Sequence, residues 1–243
     1  MSAPGAMPRF LDAGEAALVV EFGSGVDPAI SDRVLALDTA IAEAAPAGLR
    51  ELVPTYRSLM IHYEPLQITR EALVKLVEDR LAAPPIRERK AALWTVPCCY
   101  EAPHGEDLAE MAGIMGMPAE KAAQTHASAT YRAYMYGFAP GFTYLGGLPG
   151  EIAISRRTKP RPPHDSKVVL VGGGLSAIAT FPMPTGWYVV GRTPERLYAP
   201  ERPSPFLIEP GDDIRFEPID AATFAALDER AEAGEVVARR RAQ

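Results

Sequence analysis

The sequence predicts an α+β fold in two units, and three observations carry that prediction. Within the first 85 residues, two pairs of short strand-like runs are each followed by a stretch of helical period. The tetrapeptide Ala82-Ala83-Pro84-Pro85 then stops the second helix, because proline cannot continue one. From Thr130 onward, short β-rich runs alternate with Gly and Pro clusters, the pattern of an antiparallel barrel or sandwich.

The first unit is expected over 1–85. Residues 8–22 read as two short strands around the turn Asp12-Ala13-Gly14. A helix follows, with Asp27 as N-cap, Pro28 at the first helical position, and Ile30, Val34, Leu37 and Ile41 at helical spacing. Residues 50–53 and 58–63 are extended; in the second run Leu59, Ile61 and Tyr63 alternate with Met60 and His62. A second helix starts near Thr69 and puts Leu73, Leu76, Val77 and Leu81 on one face. The order β-β-α-β-β-α gives helices layered on an antiparallel sheet.

The second unit, 86–243, opens with a strand over 92–100 and two helices near 106–116 and 118–127. Leu108, Met111, Ala112 and Met115 share a face, Gly116 is a C-terminal stop, and Pro118 suits the first position of the next helix. The β-rich runs come next, and a helical tail from Ala221 to Val237 ends the pattern.

Composition removes several function classes. The 243 residues are 47% apolar, enough to bury a core, and carry a formal charge of −6 without a basic cluster, a poor match to phosphate-led nucleic-acid binding. No window is long and apolar enough to cross a bilayer, and the N-terminus lacks a signal-peptide pattern. Cys98 and Cys99 are adjacent, so on a strand they face opposite ways and make a poor disulfide. A reducing cytoplasm is the expected location. His62, His104, His126 and His164 lack metal-ligand spacing, so no metal site is expected.

Candidate chemistry concentrates in a few segments. Residues 137–149 hold four glycines, two prolines and the aromatic residues Phe138, Phe142 and Tyr144. Such a stretch is either the wall of a pocket or a packed hairpin corner; as a pocket wall it would involve Phe138, Pro140, Gly141, Phe142 and Tyr144. Residues 186–194 read as a strand ending in a turn, with Trp187 at its start and Arg192 near its end. Arg192 there can clamp a carboxylate or phosphate, or pair internally with Asp212 or Asp213. In the run Gly172-Gly173-Gly174, Gly173 and Gly174 suit a tight turn better than an anion cradle, since no P-loop lysine follows. His126, just before the strand leading into the glycine-aromatic segment, is an acid/base candidate or a plain capping residue. Arg156, Arg157, Lys159 and Arg161 form a basic edge among prolines. The arrangement expected is one cavity between 137–149 and 187–194.

On these residues the sequence resembles a known family. "HASATYRAYMYGFAPGFTYLGGLP" (126–149), "PTGWYVVGRTP" (184–194) and "IEPGDDIRFEPI" (208–219) are similar to the family of the 5-oxoprolinase B-type subunit and allophanate hydrolase subunit 1, the carboxyltransferase C/D type that includes kinase-A-inhibitor-like proteins and a segment of urea carboxylase. The resemblance implies a ferredoxin-like first domain and a cyclophilin-like antiparallel β-barrel second. It implies a small subunit that works with a larger homologous partner, of the kind formed by the 5-oxoprolinase C-type subunit and allophanate hydrolase subunit 2. It also implies action on a small anionic or amide substrate such as a lactam, with ATP used in the complex. Regulatory inhibition of a histidine kinase and carboxyl transfer in urea breakdown are the alternatives it carries. Within that reading His126 and Arg192 are the catalytic candidates. Arg161, Gly173, Gly174, Trp187 and the residues of the aromatic segment are the binding candidates.

The chain departs from the family at two stretches. Where the family reads Val-Pro-Ala-Gly-Ser-Val, this chain has His164-Asp165-Ser166-Lys167-Val168-Val169. Where it reads Gln-Thr-Gly-Ile-Tyr-Pro, this chain has Leu175-Ser176-Ala177-Ile178-Ala179-Thr180. A glutamine, a glycine and a serine are thereby lost, and with them donors for a polar ligand.

Overall fold

The computed structural model describes residues 7–83 and 91–242. The chain divides into two compact units, Met1–Lys90 and Ala91–Gln243. The boundary expected at Pro84-Pro85 lies outside the described residues.

In the first unit, β1 (Arg9–Asp12), β2 (Ala17–Glu21), α1 (Pro28–Ala44), β3 (Leu49–Pro54), β4 (Ser58–Tyr63) and α2 (Arg70–Ala82) follow the expected order. The Asp27 carboxylate accepts from the Ala29 amide at 2.8 Å, and the Thr69 hydroxyl accepts from the Ala72 amide at 3.3 Å. Each cap satisfies a donor that the helix itself leaves open. The sheet runs β1-β2-β4-β3, antiparallel throughout. Strand alternation puts Leu18, Val20, Leu59, Ile61 and Tyr63 on the face that meets Val34, Leu37, Ile41, Leu73 and Val77 of the helices, all buried in one cluster.

The second unit contains β5 (Ala92–Cys99), α3 (Leu108–Ile114), α4 (Ala119–Ser128), β6 (Tyr131–Gly137), β7 (Ala139–Gly146), β8 (Arg161–His164), β9 (Val168–Gly172), β10 (Leu175–Ala179), β11 (Met183–Thr185), β12 (Tyr188–Arg192), β13 (Asp213–Ile219), α5 (Ala221–Glu232) and β14 (Arg239–Ala242). Seven strands close a barrel in the order β12-β9-β10-β7-β6-β13-β5, and β12 returns to β5 through the pair Arg192 and Cys99. β14 adds to β5, while β8 and β11 form a separate two-stranded ribbon. The barrel pairs are antiparallel except β13 with β5, which run parallel in register from Asp213–Leu93 to Ile219–Cys99. These two strands enter from the same end, and the rest of the barrel is the long crossover that a parallel pair requires.

The barrel interior holds Trp94, Val96, Cys98, Tyr131, Leu145, Val169, Val171, Ile178, Val190, Ile214 and Phe216, with Leu108 and Met111 of α3 and Ala122 of α4 packed on the same cluster. Cys98 belongs to it and its neighbour Cys99 does not, as strand alternation requires; both are free and buried. Two buried carboxylates pin the ends. Asp212 accepts from the Ala92 amide at 2.8 Å and the Trp94 indole at 3.0 Å. Glu195 accepts from the amides of Val237 and Ala238, each at 2.7 Å, and so anchors the approach to β14. Pro118 stands one residue earlier than expected, as the N-terminal boundary residue of α4.

The closing seam tolerates no side chain at Gly191. A Cβ there would sit 2.7 Å from the Cys98 sulfur and 3.0 Å from the Cys99 carbonyl oxygen. Gly191→Ala is therefore expected to lower stability by roughly 2–3 kcal/mol through overpacking at a backbone contact. Denaturant melts of the two proteins check this; an unchanged midpoint would show that the seam can spread freely.

Candidate functional site

The strands disperse the residues singled out in the sequence. β9 and β10 pair from Leu175–Gly172 at one end to Ala179–Val168 at the other. At about 3.3 Å per residue, those ends lie about 13 Å apart. Gly173 and Gly174 form the two-residue turn at the first end, both at positive φ (+62° and +76°) as a tight hairpin turn requires. Trp187 packs against Gly172 there and carries the Arg156 guanidinium 5.1 Å from its ring centre. Gly141, Pro140 and Arg192 belong to the opposite end, where the Thr180 hydroxyl donates to the Pro140 carbonyl at 2.6 Å and Arg192 pairs across to Val168.

The single cavity expected between 137–149 and 187–194 is not what forms. The two segments do meet: Tyr144 and Trp187 stand edge to face at 6.3 Å, and Phe142 lies 4.8 Å from Tyr144. Their junction is filled by Val168, Leu170, Ala177, Ala179 and Val189, which make an apolar cluster on the outer face of the barrel wall. Four residues of the two departing stretches, Val168, Leu175, Ala177 and Ala179, lie in or against this cluster. The residues that stand in these stretches therefore make a packed apolar face in this chain. The segment itself is mostly the strand β7 instead of a loop, with its corner at Phe138, which holds φ +67° and is 77% exposed.

Both arginine candidates have internal partners. Arg161 donates to Asp107 at 2.9 Å and pairs with Glu106, and Arg157 chelates Glu110 at 2.8 and 2.6 Å and reaches Asp107 at 3.1 Å. Arg157 and Arg161 of the basic edge are thus answered by acids at the start of α3, while Arg156 lies over Trp187. Arg192 Nε donates to the Ser166 carbonyl at 3.0 Å and its Nη1 to Asp165 at 3.3 Å; it does not pair with Asp212 or Asp213. Asp165 is well exposed, so this pair is weak and exchangeable.

His126 is neither a surface cap nor open to solvent. It reaches from α4 into the barrel interior and is fully buried. The Tyr100 hydroxyl meets Nδ1 at 2.8 Å and Ser176 Oγ meets Nε2 at 3.2 Å, while Ser176 donates to the Leu170 carbonyl at 2.9 Å. A serine that donates to a carbonyl accepts from Nε2–H, so Nδ1 accepts from tyrosine and the ring is neutral. Burial lowers its pKa to about 3. This group organises the barrel core, and a substrate outside the wall does not touch it.

An open concavity lies at the Gly141 end of the wall. Ser166, Lys167, Thr180, Phe181, Arg196, Tyr198 and Glu232 are among its lining residues, around a volume of about 240 Å³. Its floor is set by a close approach: a Cβ on Gly141, which holds φ +74°, would lie 2.4 Å from Tyr198 Cβ and 3.0 Å from Thr180 Cγ2. Lys167 holds φ +63°, a left-handed conformation costly for a residue with a side chain, and its ammonium donates to Asp228 and Glu232 of α5, both at 2.6 Å. The ammonium holds the Glu232 carboxyl below its ordinary range through that hydrogen bond. Arg196 pairs with Glu201 at 2.6 Å. The cleft thus offers two cations, hydroxyls and two aromatic faces. Lys167, Thr180, Arg196, Tyr198 and Glu232 escape sequence reasoning because they come from four separated segments. The one signal available was Lys167, standing where the family has glycine.

Among the described residues no group of His, Cys, Asp and Glu side chains is placed to hold a metal ion, and no helix is long and apolar enough to cross a membrane.

Two outcomes follow. Gly141→Ala combines a clash with an unfavourable φ and is expected to cost roughly 2–3 kcal/mol, against roughly 1 kcal/mol for Gly174→Ala, which has the same φ sign and open space; thermal melts rank the pair. For His126, the folded pKa lies below the unfolded value of 6.5, so the unfolded chain takes up the proton first as pH falls. Its stabilising contribution is full above pH 6.5 and declines toward pH 3, by about 1 kcal/mol per pH unit. Urea midpoints measured at pH 7 and pH 5 should drop more for the native chain than for His126→Gln; equal drops would remove histidine from the account.

The family model described as "Carboxyltransferase domain, subdomain C and D" matches residues 8–208. The B-type subunit of 5-oxoprolinase from Bacillus subtilis (strain 168) is 30% identical over 227 residues, covering 89% of this chain and 95% of that protein. Among solved structures, that of TTHA0988 superposes with a TM-score of 0.76 at 34% identity and covers 84% of this chain; the match spans only 40% of the TTHA0988 chain. A Kluyveromyces lactis urea amidolyase superposes with a TM-score of 0.79 over 99% of this chain and 17% of its own, at 18% identity, a likeness of fold alone. With the barrel, the strand motifs and a match over most of its length, this chain belongs to the carboxyltransferase subdomain C and D family.

Proposed function

We propose that the chain is the small subunit of a two-component enzyme of the 5-oxoprolinase type, opening a small cyclic amide with ATP consumed in the complex. The observation that carries this reading is the cleft at the Gly141 end of the barrel, in a chain that aligns almost end to end with proteins named as the B-type subunit of 5-oxoprolinase. At about 30 Å³ per water, 240 Å³ holds about eight waters, a volume suited to a single five-membered lactam acid. In this reading this chain positions the lactam, and ATP is held by the larger homologous partner. Lys167 and Arg196 face the substrate's carboxylate, and the rings of Phe181 and Tyr198 flank its apolar edge. The exposed rings of Phe181 and Phe206, joined through Tyr198 at 6.2 and 5.2 Å, give the partner an apolar surface beside the cleft.

The decisive experiment purifies the chain with and without a larger homologous subunit from the same genome and measures ATP hydrolysis dependent on 5-oxoproline. Turnover by the pair and by neither component alone is expected. No lactam-dependent hydrolysis by the pair would overturn the oxoprolinase reading, and biotin-dependent carboxyl transfer in its place would move the chain to the urea branch.

A further inference from the structure

We propose that the cleft is a carboxylate site whose place is held, in the ligand-free chain, by the protein's own Glu232. This deepens the functional reading above and rests on its choice of cleft.

The argument starts from an asymmetry of burial. The Lys167 side chain is 9% exposed, yet its partner Glu232 is 59% exposed. Arg196 is 22% exposed and its partner Glu201 is 53% exposed. In both pairs the cation is fixed in the wall and the anion approaches from the solvent side. A buried ammonium cannot be left without an anion, since desolvation makes an unpaired charge expensive. A well-exposed glutamate can leave at little cost, because water solvates the carboxylate it releases and an exposed pair contributes little. Glu232 is therefore the exchangeable member, and any incoming carboxylate that reaches Lys167 inherits its hydrogen bond. Asp228, one helical turn earlier on α5 and less exposed, stays on the same ammonium, so α5 remains tied to the barrel during exchange.

The backbone supports the same conclusion. Lys167 occupies a left-handed conformation that glycine adopts freely and that costs a lysine on the order of 1 kcal/mol. Tethering α5 does not need that residue at that φ, since the start of the helix is also held to the barrel by the Ala221 amide, which donates to Glu101 at 3.0 Å, and by Phe224, whose ring lies 4.1 Å from that of His104. Lys167 lines the cleft together with Ser166, Arg196 and Glu232, and its ammonium meets Glu232 there. The ligand class is a small organic carboxylate with a compact, partly apolar body, held by the two cations at its charged end and by Phe181 and Tyr198 along its side.

Calorimetric titration of the full-length chain tests this, with 5-oxoproline, glutamate and succinate as probes. 2-Pyrrolidinone, the same lactam without a carboxylate, and inorganic phosphate serve as comparisons. Binding of at least one carboxylate at millimolar concentration is expected, with 2-pyrrolidinone and phosphate weaker by about tenfold or more. Lys167→Gly should fold, because glycine suits the φ, and should lose about tenfold or more in carboxylate affinity. Glu232→Gln should bind carboxylates several-fold more tightly, since the internal competitor is gone; a tethering role alone predicts no gain. Unchanged or weaker binding by Glu232→Gln, native affinity in Lys167→Gly, phosphate binding as tight as carboxylate, or no carboxylate binding at all would each overturn the proposal. The two readings fail separately. Carboxylate binding that tightens in Glu232→Gln, beside a partner pair that shows no lactam-dependent ATP hydrolysis, removes the oxoprolinase function and keeps the site. Lactam turnover with Glu232→Gln and Lys167→Gly both at native KM keeps the function and removes the site.

Discussion

The architecture of the second unit depends on one contact, the approach of β12 to β5 at Gly191. Seven strands make a closed barrel only if the last of them returns to the first, and here a single pairing, Arg192 with Cys99, does so. The return needs bare backbone. Gly191 presses on Cys98 and Cys99, and Gly105 stands where a Cβ would lie 2.6 Å from the Tyr100 carbonyl and 2.8 Å from that of Val190. Asp107 reinforces the same region by accepting from the Val189 amide at 2.8 Å. With the seam shut, no edge remains at that position for another chain to pair with. The end of β12 is also fixed, and with it the path through Glu195 and Arg196 to Tyr198 that walls the cleft.

Charge is distributed unequally across this scaffold, and the inequality separates structure from function. Buried carboxylates such as Asp212 and Glu195 are satisfied by backbone amides, an indole and, for Glu195, the shielded guanidinium of Arg202 at 3.3 Å. Asp107 gathers Arg157, Arg161 and an amide, all largely shielded from water. These are fixed pins, and breaking any one would strand a buried charge. The cations of the cleft are the reverse case: shielded positive groups answered by solvated acids. A site that exchanges ligands needs the second arrangement. The interior His126 network belongs with the first, because each of its donors and acceptors ends on another protein atom.

Much of the fold was legible in the sequence. Helix caps at Asp27 and Thr69, the alternation of Leu59, Ile61 and Tyr63, and the glycine turn at Gly173-Gly174 are local signals, and local chemistry decides them. The stretch 137–149 was harder. Its glycines and prolines suggested a loop, yet Phe142 and Tyr144 alternate with Thr143 and Leu145 as a strand does, and Gly141 marks a close approach inside it. The parallel pairing of β13 with β5 has no local signature, because register between strands so distant in sequence is set by the whole barrel. Site residues were the least legible for the same reason. For Arg192 an internal carboxylate was one of two readings, but the partner, Asp165, is fixed only in three dimensions, as are Asp107 and Glu106 for Arg161, and His126 is withdrawn from solvent by rings contributed from Tyr131 and Phe216.

The two departures from the family pattern act in opposite directions on the same wall. At Val168, Leu175 and Ala177 polar or small residues give way to apolar ones, which pack and close the face between Phe142 and Trp187. One residue before Val168, glycine gives way to lysine at a position whose φ still suits glycine. Strand alternation sends Val168 to the outer cluster, while the left-handed turn at Lys167 sends its side chain toward α5 instead. Apolar packing on one side of that step removes polar groups that would bind a ligand there, and the ammonium on the other side supplies a stronger group close by. The wall is thus packed closed at its middle, while at its Gly141 end a cleft remains open and the acids that meet Lys167 come from α5. A neutral residue at that step would have kept the backbone comfortable and left the cleft without its most buried charge.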